Sequence, residues 1–179
     1  MANQTQIPEW VLSKMKQYCA YQERCMFDVK SKLNAFHLQE GMDEQIIQEL
    51  EKENYLDEGR YARVFANGKL RINKWGRNRI YAALQQKQVP EFFILQGLSE
   101  IDDEEYLHVL REVISAKSRE IKEPDFNKHN KKVAKFAITK GFESNLVWDI
   151  LNYRDWFLKG IWLRKIPRLI NWKYPEIAW

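Results

Sequence analysis

Apolar residues recur along this chain at a spacing of three and four, the period of helices that bury one face. Val11, Met15 and Tyr18 mark a first such face, with Pro8 placed at its start, where a missing N–H costs nothing. Met26, Val29, Leu33 and Phe36 predict a second helix, and Ile46, Ile47 and Leu50 a third that ends at Asn54. Asp57 is a fitting cap for a fourth helix, expected to bury Tyr61, Val64, Phe65 and Ile72. A fifth follows Gly76 with Ile80, Ala83 and Leu84, and a sixth follows Pro90 with Phe93, Ile94 and Leu98. The seventh has the clearest start. Asp102 caps it, Glu105 stands three residues on, and Ile101 can staple onto Tyr106. Its inner face is Tyr106, Leu110, Val113 and Ile114. Val133, Phe136 and Ala137 mark an eighth helix that stops at Gly141, and Leu146, Val147, Ile150 and Leu151 mark a ninth.

These helices repeat. The segments Met42 to Leu50, Val89 to Leu98 and Phe142 to Leu151 each open with a hydrophobe, continue with polar or turn residues, and then carry an apolar pair. Each follows a stop one residue earlier, at Gly41, Gln88 and Gly141. The period is that of a three-helix module too small to bury its own core, so the modules must stack. The expected fold is all-α, an elongated, curved solenoid of three tandem three-helix repeats with a C-terminal Trp-rich helical extension. The divisions expected are a lead-in over 1–17, repeats over 18–56, 57–101 and 102–152, and the extension over 153–179.

Composition agrees. Of 179 residues, 45% are hydrophobic and 13% aromatic, which excludes a disordered chain. Seven glycines and five prolines are too few for the frequent turns of a sandwich or barrel. No apolar run is long enough to span a bilayer, and Met1 to Lys16 has no apolar signal-like core. Cys19 and Cys25 have no close histidine and form no Cys-x-x-Cys, so both are expected as reduced, small apolar residues in a cytoplasmic protein.

Net charge is +4, and its placement matters more than its size. Residues 154–179 account for all of it. Within the body, 18–56 is rich in acids and 57–101 rich in bases, a dipole suited to an oriented polyanionic or mixed-charge partner, though solvated helical proteins also acquire such asymmetry by chance. Lys69, Arg71, Lys74, Arg77 and Arg79 fall within eleven residues that hold no acid. Cations around an aromatic suit phosphate contact and base stacking, or an acidic protein groove; Trp75 itself is expected to pack. Lys128, Lys131, Lys132 and Lys135, with Lys140 beyond them, form a stripe on the eighth helix. It reads equally as a solvated face or as a second contact.

Catalytic, metal and cofactor sites are not expected. Asp102, Asp103, Glu104 and Glu105 suit the positive end of a helix. His37, His108 and His129 fall in different modules, and no Gly-rich phosphate loop, Ser-centred elbow or Cys–His arrangement is visible. A helix-turn-helix transcription factor is the alternative. The third helices begin Asp43-Glu44-Gln45 and Pro90-Glu91-Phe92, however, with acids where phosphates would lie.

Three stretches, in order, resemble one known family. Asn54-Tyr55-Leu56-Asp57-Glu58-Gly59-Arg60-Tyr61-Ala62 resembles the GYLDD-x-RFA signature between the first two repeats of RecX proteins. Lys74-Trp75-Gly76-Arg77-Asn78-Arg79-Ile80 resembles the GYGPxRI entry to that family's second repeat. Phe136 to Phe142 with Val147 is similar to the FLxxRGF segment of its third. Lys74 and Gln88 stand where the family has glycine, and Arg77 where it has proline. The resemblance implies a regulator of DNA repair and the SOS response. Such a monomer binds the RecA–single-stranded-DNA filament, lowers its recombinase, ATPase and coprotease activities, and contacts single-stranded DNA weakly and without sequence preference.

The extension is less constrained. Trp156, Leu158, Trp162, Leu163, Ile166 and Ile170 recur at helical spacing among Arg164, Lys165 and Arg168, and Pro167 should end or kink that helix. Docking over the open end of the third repeat is the favoured reading. A contact arm and a membrane-surface helix are the others.

Overall fold

A computed structural model describes residues 7–158, with side chains through Asn152. The extension from residue 159 onward, and its expected docking, lie outside the described residues. Those residues form nine α-helices and no strand. The helices are α1 (Glu9–Tyr21), α2 (Met26–Leu33), α3 (Met42–Lys52), α4 (Glu58–Asn73), α5 (Arg77–Gln86), α6 (Glu91–Ser99), α7 (Asp103–Glu120), α8 (Phe126–Thr139) and α9 (Ser144–Leu158). A 3-10 turn, Asn34–Phe36, follows α2. Contacts group them into trios, α1–α3, α4–α6 and α7–α9, with α4 also lying against α7.

Helix starts follow their caps. Asp57 accepts from the Arg60 N–H at 2.8 Å and Asp102 from the Glu105 N–H at 2.7 Å, each satisfying a donor that the first turn leaves free. Asp125 does the same for the Lys128 N–H at 2.7 Å. Helix α2 has no cap of its own. Cys25 precedes it without a side-chain bond, and the Glu58 carboxylate of α4 accepts the Met26 N–H instead. One trio thus caps a helix of its neighbour.

The core is divided. Val11, Met15, Cys19, Val29, Leu33, Ile46, Ile47, Leu50 and Leu56 form one cluster within the first trio. A second runs without a break from Tyr61 and Leu70 through Ile80, Ile94 and Leu110 to Val133, Phe142 and Leu151. Cys25, fully buried, is the first trio's contribution to that second cluster. Its thiol is pushed up to about 11 by burial, so it sits there as an uncharged apolar group.

Helix α4 differs from its expected phase. Val64 and Ile72 are 53% and 81% exposed, and the inward positions are Tyr61, Ala62, Ala66 and Leu70. The reason is the close crossing with α6. A Cβ built on Gly97 would lie 2.9 Å from the Ala62 carbonyl carbon, so only small residues fit. Alanines carry little hydrophobic signal, and the larger Val64 and Ile72 outweigh them in the pattern.

The second and third trios are clasped by backbone. The Gly76 N–H donates to the Lys140 carbonyl at 2.9 Å and the Asn78 N–H to that of Gly141 at 3.1 Å. A Cβ on Gly76 would stand 2.2 Å from Gly141 carbon and oxygen, and one on Gly141 2.3 Å from Arg79 Cβ. Gly141 also has φ of +94°, unfavourable for an L side chain. Lys74 and Gln88, in the places where glycine was expected, have φ of +55° and +56°. The backbone keeps its left-handed turns there and accepts the steric cost.

Gly141→Ala is therefore expected to destabilise the protein by about 2–4 kcal/mol, combining overpacking with a disfavoured φ, as a lowered midpoint in thermal unfolding followed by circular dichroism. Glu58 supplies a second test. Burial raises its carboxyl pKa, against the opposing hydrogen bond from Met26. The folded chain therefore holds this proton more tightly, and ionisation destabilises it as pH rises from the ordinary carboxylate value through the raised one. Glu58→Gln keeps the acceptor and should remove that fall in stability, whereas Glu58→Leu should lose about 1 kcal/mol of capping. Urea midpoints measured between pH 4 and 8 would show both.

Candidate functional site

The basic stretch occupies the junction between α4 and α5. Helix α4 closes with Lys74 in the left-handed region, its N–H on the Leu70 carbonyl, and the Trp75 N–H on that of Lys69. The chain reverses, and Gly76 abuts the end of α8. Trp75 is half-buried against the second core. Lys69 Nζ lies 5.0 Å from its ring centroid and Arg79 Cζ 4.3 Å. Lys69 is also 5.1 Å from the Phe65 ring. The indole thus packs, as expected, and carries a cation on each side of it in the sequence.

The remaining cations of the stretch are paired. Arg71 donates Nε and Nη2 to the two oxygens of Glu105, at 2.6 and 2.8 Å. Lys74 reaches Glu112 at 2.9 Å, and Arg77 reaches Asp103 at 2.6 Å. All three carboxylates belong to α7. The hydrogen bond from Arg71 holds the Glu105 carboxyl below its ordinary range, and that from Lys74 does the same for Glu112. Lys69 and Arg79 have no carboxylate partner among the described residues.

On α8, Lys128, Lys131 and Lys135 are exposed and lie three and four residues apart, on one stripe. They too have no acidic partner among the described residues, whereas Lys132 is held by Glu123 at 2.6 Å. The hydrogen bond from Lys132 lowers the Glu123 carboxyl. Lys140 bends back from the end of this helix to the Asn73 carbonyl, at 3.4 Å. The C-terminal end of the lysine helix therefore meets the Trp75 turn, at the Gly76–Gly141 contact. Distance along the chain hid this, and only the repeat pattern hinted at it.

Tyr106 fixes the junction from beneath. It is buried and packs on Phe142 at 5.3 Å between centroids. Its hydroxyl accepts the Arg77 N–H at 3.0 Å and donates to Glu143. Burial, then the Glu143 charge, pushes its pKa far up. The Arg77 guanidinium lies 4.1 Å from the same ring. The helical period places Tyr106 in the core but carries no sign of its polar role, which depends on partners 29 and 37 residues away. Among the described residues, no three metal-ligating side chains converge, and no helix is long and apolar enough to cross a membrane.

This architecture is that of a tandem three-helix repeat protein. Residues 57–98 match the family model described as RecX, second three-helix domain. The chain is 30% identical over 129 residues to the regulatory protein RecX of Lactobacillus johnsonii, covering 72% of this chain and 48% of that protein. It is 28% identical over 128 residues to that of Clostridium acetobutylicum, covering 69% and 59%. The crystal structure of RecX from Lactobacillus salivarius superposes with a TM-score of 0.73 at 18% identity, over 83% of this chain and 99% of that one. The chain is a relative of the RecX family, and it spans about half the length of the curated relatives it matches.

Removing the Tyr106 hydroxyl leaves the Arg77 N–H without its acceptor. Tyr106→Phe should cost about 1–3 kcal/mol, read as a shift of the urea midpoint with helix content at low denaturant unchanged.

Proposed function

We propose that this protein is a regulator that binds the RecA–single-stranded-DNA filament and lowers its recombinase, ATPase and coprotease activities. The observation that carries the reading is the presence of two sets of cations without acidic partners among the described residues, on a RecX-type fold. These are the unpaired stripe Lys128, Lys131 and Lys135 and the Trp75 turn with Lys69 and Arg79. A row of cations on a helix neutralises phosphates at a regular interval, and releases counterions as it does so. Trp75 packs and holds Lys69 and Arg79 beside it, so the turn presents cations to a backbone without selecting a sequence. The trios in series present these groups along one body, as a partner with a repeating surface requires. Binding of this kind needs no bond to be made or broken, and so no catalytic group.

The surface differs in emphasis from the one the sequence suggests. Arg71, Lys74, Arg77 and Lys132 already have carboxylate partners. The first contact with a polyanion therefore falls to Lys69, Arg79, Lys128, Lys131 and Lys135. Repeat boundaries at 56, 101 and 152 remain part of the same proposal, with each trio acting as one unit of contact.

The test is co-sedimentation with RecA filaments assembled on single-stranded DNA, with the free DNA alone as control. Lys128→Glu/Lys131→Glu/Lys135→Glu should lower filament binding by about tenfold or more at low salt, as expected for three lost phosphate contacts. Its helix content and melting temperature should be unchanged. Undiminished binding and inhibition by this variant would place the contact elsewhere. Equal retention on free DNA and on filament would mark a plain DNA binder.

A further inference from the structure

The middle of the basic stretch is occupied by the protein's own acids, and their manner of binding is that of a phosphodiester. Glu105 takes the Nε and Nη2 edge of Arg71 with both oxygens, the fork geometry that guanidinium offers to carboxylate and phosphate alike. Glu112 takes Lys74 and, from its own helix, stands 3.2 Å from His108. Asp103 takes Arg77. The pairs of Arg71 and Lys74 are open to water, whereas Arg77 is only 18% exposed and lies over the Tyr106 ring. The side chains of Arg71 and Lys74 are 59% and 40% exposed, and Asp103 is 83% exposed. Exposed pairs hold weakly and yield to competing ions. They are also not what joins the trios, since the Gly76–Lys140 and Asn78–Gly141 bonds and the Tyr106 hydroxyl do that from within.

We propose that Glu105 and Glu112 of α7 act as an internal decoy, occupying the phosphodiester positions on Arg71 and Lys74 until a single-stranded nucleic acid displaces them. The inference rests on the reading of this surface as a polyanion contact, and it adds how that contact is limited. Tethered acids compete at a high effective concentration. They keep the row closed to isolated anions and to short strands, which cannot engage enough neighbouring cations to pay for the exchange. A long strand already held by Lys69 and Arg79, which flank the row in the same α4–α5 junction, can take it over. Each cation so engaged was neutralised beforehand, so its transfer releases fewer counterions than a free cation would. The salt dependence of binding should therefore be shallower than the cations of the surface imply.

The experiment measures anisotropy of a labelled oligothymidylate over a range of salt, with three proteins. Glu105→Gln/Glu112→Gln frees Arg71 and Lys74. Glu104→Gln/Glu40→Gln removes the same charge from exposed acids with no basic partner among the described residues. The first variant should bind roughly 3–10-fold tighter than the unaltered chain, with the slope of log affinity against log salt steeper by about one, near the value for one or two further phosphates on a single strand. The second should stay within about twofold. Equal gains in both variants would mean a general charge effect and overturn the decoy. So would an absence of gain, or an absence of binding by all three proteins. The filament co-sedimentation is scored apart, so a failed decoy and a failed filament reading give different results. Melting temperatures of both variants check that the fold is kept.

Discussion

The contact of Gly76 with Gly141 sets the distance at which everything around it must fit. Two backbones approach until no Cβ can stand between them, and the N–H groups of one turn are satisfied by the carbonyls of the other. That approach brings the Trp75 turn to the end of α8 and leaves α7 alongside α4. It places the Tyr106 hydroxyl where it can accept from one trio and donate to the next. The continuous core beneath follows, because Ile80 and Phe142, each beside a clasped turn, enter the same cluster. Unpaired backbone groups at this depth would be costly, so the clasp is directional as well as close. It fixes how one trio is rotated on the other.

The charge pattern looks different once the trios are assembled. In the sequence, residues 69–79 are a run of bases and 102–105 a run of acids, each with its own local explanation. In the structure two members of each run answer the other, Arg71 of α4 with Glu105 and Arg77 of α5 with Asp103. Asp102 caps its helix, as its position demands, while Asp103 and Glu105 turn outward to arginines of the preceding trio. A capping box would have sent Glu105 back to its own helix start. The guanidinium of Arg71 offers it two charged donors instead, a stronger arrangement than one neutral N–H.

Helix number, helix starts and most of the inward faces were legible in the sequence, because they depend on periodicity and caps that act over a few residues. The family resemblance was legible too, in the motifs around Leu56, Trp75 and Gly141. What escaped was everything set by a neighbour far along the chain. The phase of α4 depends on Gly97 of another helix, and the pairing of Arg71, Lys74 and Arg77 on acids of α7. The cap of α2 depends on Glu58, a residue read only as part of a motif. The left-handed turns at Lys74 and Gln88 show the converse. There the surrounding bonds impose a backbone that the residue itself does not favour.

The division of the core has a mechanical consequence. Trios two and three share apolar side chains, backbone bonds and a buried hydroxyl, and so they deform together. Trio one meets them through a thiol, the Glu58 cap, and the ion pairs of Arg60 with Glu23 and Lys87 with Asp28. A few polar contacts and one buried thiol interlock fewer side chains than a shared core does. The molecule is thus a stiff two-thirds and a jointed third, and its compliance is gathered in one place. A change of angle at that one joint would unpack no helix and would leave the Gly76–Gly141 clasp untouched.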